Sequence, residues 1–156
     1  MQHDYPKAHA KPYVLLAEND EDDCMFFKEA FNEINLNLHL FIVHNGIELM
    51  NYLSETMRLL PQLLFLDLNM PLKNGFECLH ELKENKRLKD IPVIVYSTSN
   101  SSDDYEKCRQ LKAHLYISKP NSFIKLKEVI QKVLVTDFVS HLTEEPKEHF
   151  LVFSED

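Results

Sequence analysis

The chain has 156 residues, 44% of them hydrophobic and 27% charged, enough for one domain with a real core and little more. A formal net charge of −8 excludes the basic footprint of a nucleic-acid binder and fits a protein that holds a cation or meets a basic partner. No apolar run approaches the roughly 20 residues that span a bilayer, and the opening MQHDYPKAHAKPY has no apolar h-region; neither membrane insertion nor export is expected, and the expected location is cytoplasmic.

Residues 1–11 are polar and read as a flexible N-terminal arm. YVLLA (13–17) is a fully apolar run that stops abruptly at ENDEDD, the pattern of a buried strand followed by a loop or helix start. In CMFFKEAFNEI (24–34), Phe27, Ala30, Phe31 and Ile34 fall at helical spacing, with Asp22 and Asp23 at the end where acids are favoured. LHLFIV (38–43) is a second strand, Asn45-Gly46 a turn, and IELMNYLSETM (47–57) an amphipathic helix. LLFLDL (63–68) is a third strand, and NMPLKNG a loop in which Gly75 is expected to supply a tight backbone turn. FECLHELKEN (76–85) is a helix with Phe76, Leu79 and Leu82 on one face, and PVIVYS (92–97) is the fourth strand. TSNSSDDYEKCRQLK gives a Ser/Asp cap and a polar helix, HLYIS (114–118) a short fifth strand broken by Lys119-Pro120, and SFIKLKEVIQKVL (122–134) a strongly amphipathic last helix.

Strand followed by helix, five times over, predicts an α/β domain with a parallel sheet. The uninterrupted apolar strands predict a sheet covered on both faces. Cys24, Cys78 and Cys108 are odd in number and far apart, so they read as buried thiols rather than a disulfide or metal framework, and the eight histidines show no ligand spacing.

An open parallel sheet binds its ligands beyond the carboxyl ends of the strands, near the point where strand order reverses. The first strand delivers Glu18, Asn19 and Asp20 to that edge, the third Asp67, the fourth Ser97 and Thr98, and the fifth Lys119; the second offers His44 and Asn45, of lower interest. Taken singly, an acidic loop is a solvated helix start, a Ser-rich run is a cap and Lys-Pro is a turn. Asp67 resists that reading because apolar residues flank it and a buried carboxylate needs a partner. Together the set suits phosphoryl transfer onto a carboxylate. Asp67 is the candidate nucleophile, Mg²⁺ the cation that holds crowded carboxylates, and Lys119 and Ser97 the groups that receive phosphoryl oxygens.

The motifs VLLAEND, FLDLNMPLKNG, PVIVYSTS and YISKP, standing in this order, resemble the receiver domain of response regulators, the phosphoacceptor half of two-component signalling. STSNSSDDYEKC and YISKPNSFIKLKEVI look most like stand-alone receivers that work with phytochrome-type or hybrid histidine kinases. The resemblance implies a receiver domain over residues 12–136, a doubly wound five-stranded parallel sheet of flavodoxin-like order 2-1-3-4-5, and a C-terminal extension, 137–156, without an output domain. It implies that Asp67 takes the phosphoryl group from a sensor histidine kinase. Glu18, Asn19, Asp67 and the backbone carbonyl of Asn69 would hold Mg²⁺, with Asp20 as an additional candidate. Ser97 and Thr98 would meet the phosphoryl group with Lys119. Tyr116 would be the aromatic switch that turns inward as the hydroxyl moves. The face of the fourth helix, fifth strand and fifth helix would then bind a downstream protein or phosphotransfer partner. Loss of phosphate is self-dephosphorylation, not enzyme turnover.

One position departs from the pattern. The second acidic position is normally Asp and here is Asn19, whose amide oxygen still coordinates but brings no charge, so Mg²⁺ is expected to bind about ten to a hundred times more weakly. The alternative function is a degenerate pseudo-receiver that serves as a phosphate-independent binding scaffold. A flavoprotein or phosphohydrolase on the same fold is disfavoured, because ENDEDD would repel a phosphate where a flavodoxin needs a Gly/Ser/Thr loop. DFVSHL is read as a continuation of the last helix. HFLVF (149–153) is too apolar for a plain tail and is expected to pack back on its own domain, with a homodimer or partner contact as the alternative.

Overall fold

The structure, a computed structural model, describes residues 12–56, 58–135 and 152–153; the N-terminal arm and DFVSHL lie outside the described residues. The elements in chain order are β1 (Tyr13–Ala17), α1 (Glu21–Ile34), β2 (His39–Val43), α2 (Gly46–Ser54), β3 (Leu63–Leu66), α3 (Gly75–Glu84), β4 (Val93–Ser97), α4 (Ser102–Gln110), β5 (Leu115–Ser118), α5 (Phe123–Val135) and β6 (Val152–Phe153). The sheet runs β2-β1-β3-β4-β5-β6, and every neighbouring pair is parallel.

Each strand shares its side chains between two cores because successive residues point to opposite faces. Leu15, Leu64, Leu66, Val93 and Val95 join Leu49, Leu53, Leu79 and Leu82 of α2 and α3 on one face. Val14, Leu16, Leu63, Phe65 and Ile94 join Phe27, Ala30 and Phe31 of α1 and Leu126, Ile130 and Val133 of α5 on the other. This is why the strands read as continuous apolar runs: a sheet with helices on both sides leaves no solvent face for polar residues.

The first five strands take the order expected from the sequence, 2-1-3-4-5. The sheet is larger by one: Val152 and Phe153, the end of the apolar HFLVF segment, pair in parallel with Tyr116 and Ile117 of β5. Val152 and Phe153 thus pack on their own domain, as a short strand along an edge otherwise left with open hydrogen-bonding groups; His149, Phe150 and Leu151 lie outside the described residues. Helix boundaries also moved. α1 begins at Glu21, three residues before the apolar pattern, because the Asp20 side chain accepts the Asp23 amide and caps it. β3 ends at Leu66, two residues short of the apolar run, after which the Leu68 carbonyl turns to accept the Gly75 amide at 3.0 Å.

Candidate functional site

The site lies where strand order reverses, at the carboxyl ends of β1 and β3. Three of its charged residues each stand one position past a strand and are held there by a bond that extends the ladder. The Glu18 amide donates to Val43 at 2.9 Å, Asp67 to Ala17 at 3.1 Å and Lys119 to Ser97 at 2.8 Å. Rigid sheet backbone therefore aims the side chains. Glu18 and Asp67 are 1% and 4% exposed, unusual burial for carboxylates.

The Lys119 ammonium compensates them. It donates to Glu18 Oε1 at 3.0 Å, to Asp23 Oδ2 at 2.8 Å and to Asp67 Oδ2 at 3.4 Å, which commits all three of its hydrogens. It also lies 5.4 Å from the centre of the Tyr96 ring, a cation–π contact. Burial first, and the Asp67 carboxylate second, push the Glu18 carboxyl above its ordinary pKa, against the pull of Lys119. For Lys119 burial works downward, but the hydrogen bond to Asp23 and the charges of Asp67 and Glu18 prevail and hold the ammonium above its usual range.

The loop after Asp67 is built by close approach. A Cβ on Gly75 would overlap the carbonyl oxygen of Asp67 and the Cα of Leu68, and one on Gly46 would overlap the Lys73 backbone. The only two glycines of the chain thus pack against the segment that carries Asp67. The expectation that Gly75 provides the turn is corrected: no glycine has a positive φ, and the left-handed residue is Leu72, at φ 69°, spanned by a Lys73 amide to Pro71 carbonyl bond of 2.7 Å. What Gly75 supplies is space.

The remaining candidates divide. The Ser97 hydroxyl is buried and accepts the Ser99 amide at 3.2 Å, whereas Thr98 beside it is exposed. Tyr116 is already fully buried, with its hydroxyl on the Ser99 carbonyl at 3.1 Å and its ring packed edge-on against Tyr105. Asn19 is exposed. Asp20 is engaged as the α1 cap, and its amide donates to Glu18 Oε1 at 3.3 Å. The Asn69 amide donates to Asp67 Oδ1 at 3.2 Å. Sequence reasoning passed over Asp23 as a site residue and Tyr96 altogether. Asp23 had a signal, since a helix capped by Asp20 places it in the first turn above the sheet edge; Tyr96 had none, being one of several apolar residues in a strand.

A divalent cation suits this donor set. Glu18 Oε2 is a buried carboxylate oxygen whose ion pair with the Lys119 ammonium, at 2.9 Å, uses only part of its capacity to accept. It is therefore an oxygen with lone pairs to give. Among the described residues no three His, Cys, Asp or Glu side chains group to hold a metal, so the cation would rest on two carboxylates, Glu18 and Asp67, with the neutral oxygens of Asn19 and Asn69 as the further donors, a hard-oxygen set of the kind Mg²⁺ takes.

A doubly wound sheet with two acids, a buried hydroxyl and an ammonium at its switch point is the arrangement of a response-regulator receiver domain. The chain belongs to the response regulator receiver domain family, whose model matches residues 14–131. It is 32% identical over 124 residues to response regulator Rcp1 of Synechocystis sp., covering 77% of this chain and 84% of that one. It is 31% identical over 123 residues to the probable methanogenesis regulatory protein FilR2 of Methanothrix harundinacea, covering 77% and 79%. Among solved structures it resembles the Mn²⁺-bound form of Rcp1 (TM-score 0.72, 31% identity, 78% and 91% of the two chains). It resembles equally the phosphorylated cyanobacterial phytochrome response regulator RcpA (TM-score 0.73, 32% identity, 81% and 96%). The chain is thus a response regulator of two-component signalling, and the likeness to phytochrome-associated receivers is borne out. Among the described residues no helix is long and apolar enough to cross a membrane.

Proposed function

We propose that this chain accepts a phosphoryl group on Asp67 from the phosphohistidine of a sensor histidine kinase, with Mg²⁺ as cofactor. The observation that carries the reading is the Asp67 carboxylate, 4% exposed at the switch point and facing the Lys119 ammonium. One Asp67 oxygen attacks phosphorus; the P–N bond of the donor breaks, and the imidazole leaves with the electron pair and takes up a proton. The bound cation would neutralise charge on the phosphoryl oxygens. Lys119 neutralises a further one by turning from its carboxylate partners, and the Ser97 hydroxyl, already buried at the end of β4, donates to another. Water later hydrolyses the acyl phosphate, so the chain is a phosphoacceptor with self-dephosphorylation and not an enzyme with a separate substrate. RcpA occurs phosphorylated and Rcp1 binds Mn²⁺; both support the reading.

Phosphate then biases a two-state equilibrium of the face formed by α4, β5 and α5. With Tyr116 already inward, the aromatic needs little movement, and the shift falls on Ser97 and the loop to Ser101. The output passes to a downstream protein or phosphotransfer partner in the cytoplasm, with a homodimer as one form of that contact. Asn19 favours one second reading, a scaffold that works without phosphate, because it removes a charge from the cation site.

Intact mass after incubation with a small acyl-phosphate donor and Mg²⁺ tests the proposal. A gain of one phosphoryl group, absent in Asp67→Asn and in chelator, is the expected result. No gain at high Mg²⁺ from either the small donor or a histidine kinase overturns it and leaves the scaffold.

A further inference from the structure

The shortest contact of the Lys119 ammonium is with neither the acceptor nor the buried acid of β1. It is with Asp23, at 2.8 Å, against 2.9 Å for Glu18 and 3.4 Å for Asp67. Asp23 sits in the first turn of α1, its amide fixed by Asp20 at 2.9 Å, and its side chain is 35% exposed at the mouth of the site. Three carboxylates against one ammonium leave two negative charges, the charge a dication neutralises. Asn19 contributes nothing to that sum. Without Asp23 the ammonium would be shared between Glu18 and Asp67 alone, and one negative charge would remain. The Glu18 side chain, 1% exposed, meets the same ammonium through both of its oxygens, at 3.0 and 2.9 Å, so the excess charge is held in a site largely shut from water.

We propose that Asp23 is a positioning residue of the phosphoacceptor site: by sharing the Lys119 ammonium with Glu18 and Asp67 it brings the net charge of the three carboxylates and the ammonium to the two negative charges that a divalent cation needs, supplying the charge that Asn19 does not. The inference rests on the reading of this edge as a cation-assisted phosphoacceptor. Asp23 acts through Lys119 and touches neither the cation nor the phosphoryl group.

The test is Mn²⁺ affinity of the full chain without any phosphoryl donor, read from the paramagnetic resonance signal of free Mn²⁺. Asp23→Asn is expected to weaken binding about tenfold, as one unit charge a few ångströms from the site does at protein-surface screening. Asp23→Glu, which keeps the charge, should stay close to the parent. The decisive variant is the exchange Asn19→Asp with Asp23→Asn, which moves the charge within the site and should restore binding to near the parent value; a merely structural loss at the helix start would not be repaired from position 19. Thermal melts of each variant show that it is folded. Parental affinity in Asp23→Asn, an exchange variant as weak as Asp23→Asn alone, or no binding by any variant overturns the proposal. Binding that follows the charge as described, in a chain that never gains a phosphoryl group, upholds Asp23 and sinks the acceptor function instead.

Discussion

At the scale of the residue, the loop after Asp67 concentrates its cost in Leu72. Its side chain is 79% exposed, so burial does not repay it, and its backbone is left-handed at φ 69°. A non-glycine residue there costs about 1–2 kcal/mol, and strain of this kind collects at working sites. Leu72→Gly should relieve the strain and lose roughly 0.5–1 kcal/mol of that gain to the freer unfolded chain. The expected result is a melting temperature higher by about 2–3 °C, measured by circular dichroism; an unchanged or lower value would show that the loop absorbs the strain elsewhere. Gly75→Ala has the opposite sign. The new methyl group would press on the carbonyl of Asp67 itself, so a destabilisation of about 1–3 kcal/mol is expected together with slower phosphoryl uptake in the mass assay, and normal uptake in a stable variant would contradict the packing. The site was legible in the sequence where strand ends define it. Glu18, Asp67, Ser97 and Lys119 could be named because a parallel strand has one outcome at its carboxyl end. Asp23 was not, because its side chain reaches Lys119 only if Asp20 starts the helix; Thr98 was named beside Ser97, and alternation along the chain turns it to solvent.

At the scale of the element, the pairing of β4 with β5 is closed at its start by a histidine. The Val93 amide donates to His114 Nδ1 at 3.1 Å, and the His114 amide returns a bond to the Val93 carbonyl at 2.9 Å. Nδ1 must be unprotonated to accept. Burial first, and the nearby Lys83 second, depress the His114 pKa from its ordinary 6.5 to about 4, against the opposing charge of Asp90. The unfolded chain takes up this proton below pH 6.5 while the folded one refuses it until about pH 4. The stability it contributes is therefore complete above pH 6.5 and is lost as pH falls toward 4, by up to about 3 kcal/mol. Urea midpoints across that range should fall more steeply for the parent than for His114→Asn, whose side chain accepts the same bond and does not titrate; parallel profiles would remove His114 from the account. The same strands explain why the fold could be read. Of the first five strands all but β2, which opens on His39, are uninterrupted apolar runs closed by a polar residue, so their type and order along the chain followed from pattern. Helix starts did not, because caps such as Asp20, Asn45 and Asn74 are polar residues like those of any loop until their hydrogen bonds are seen.

At the scale of the whole molecule, the sixth strand changes what the proposed output face of α4, β5 and α5 can do. β5 would otherwise be the edge of the sheet, and an open edge invites pairing with another chain. Instead β6 lies along it, with Val152 opposite Tyr116 and Phe153 opposite Ile117. The residue assigned to the switch thus has β4 on one side, through Val95, and β6 on the other, so a change of shape at Tyr116 is felt by a segment that follows α5 in sequence. Such a short strand supplies few ladder bonds, each worth about 1 kcal/mol net, and its main effect is to occupy the edge. A chain ended after Val135 is therefore expected to remain folded, to lose roughly 1–2 kcal/mol in urea unfolding, and to associate at high protein concentration through the bared β5 in sedimentation velocity. A truncated chain as stable as the parent and monomeric at every concentration would mean that β6 neither steadies the sheet nor guards its edge, and that the output face is free to pair without displacing anything.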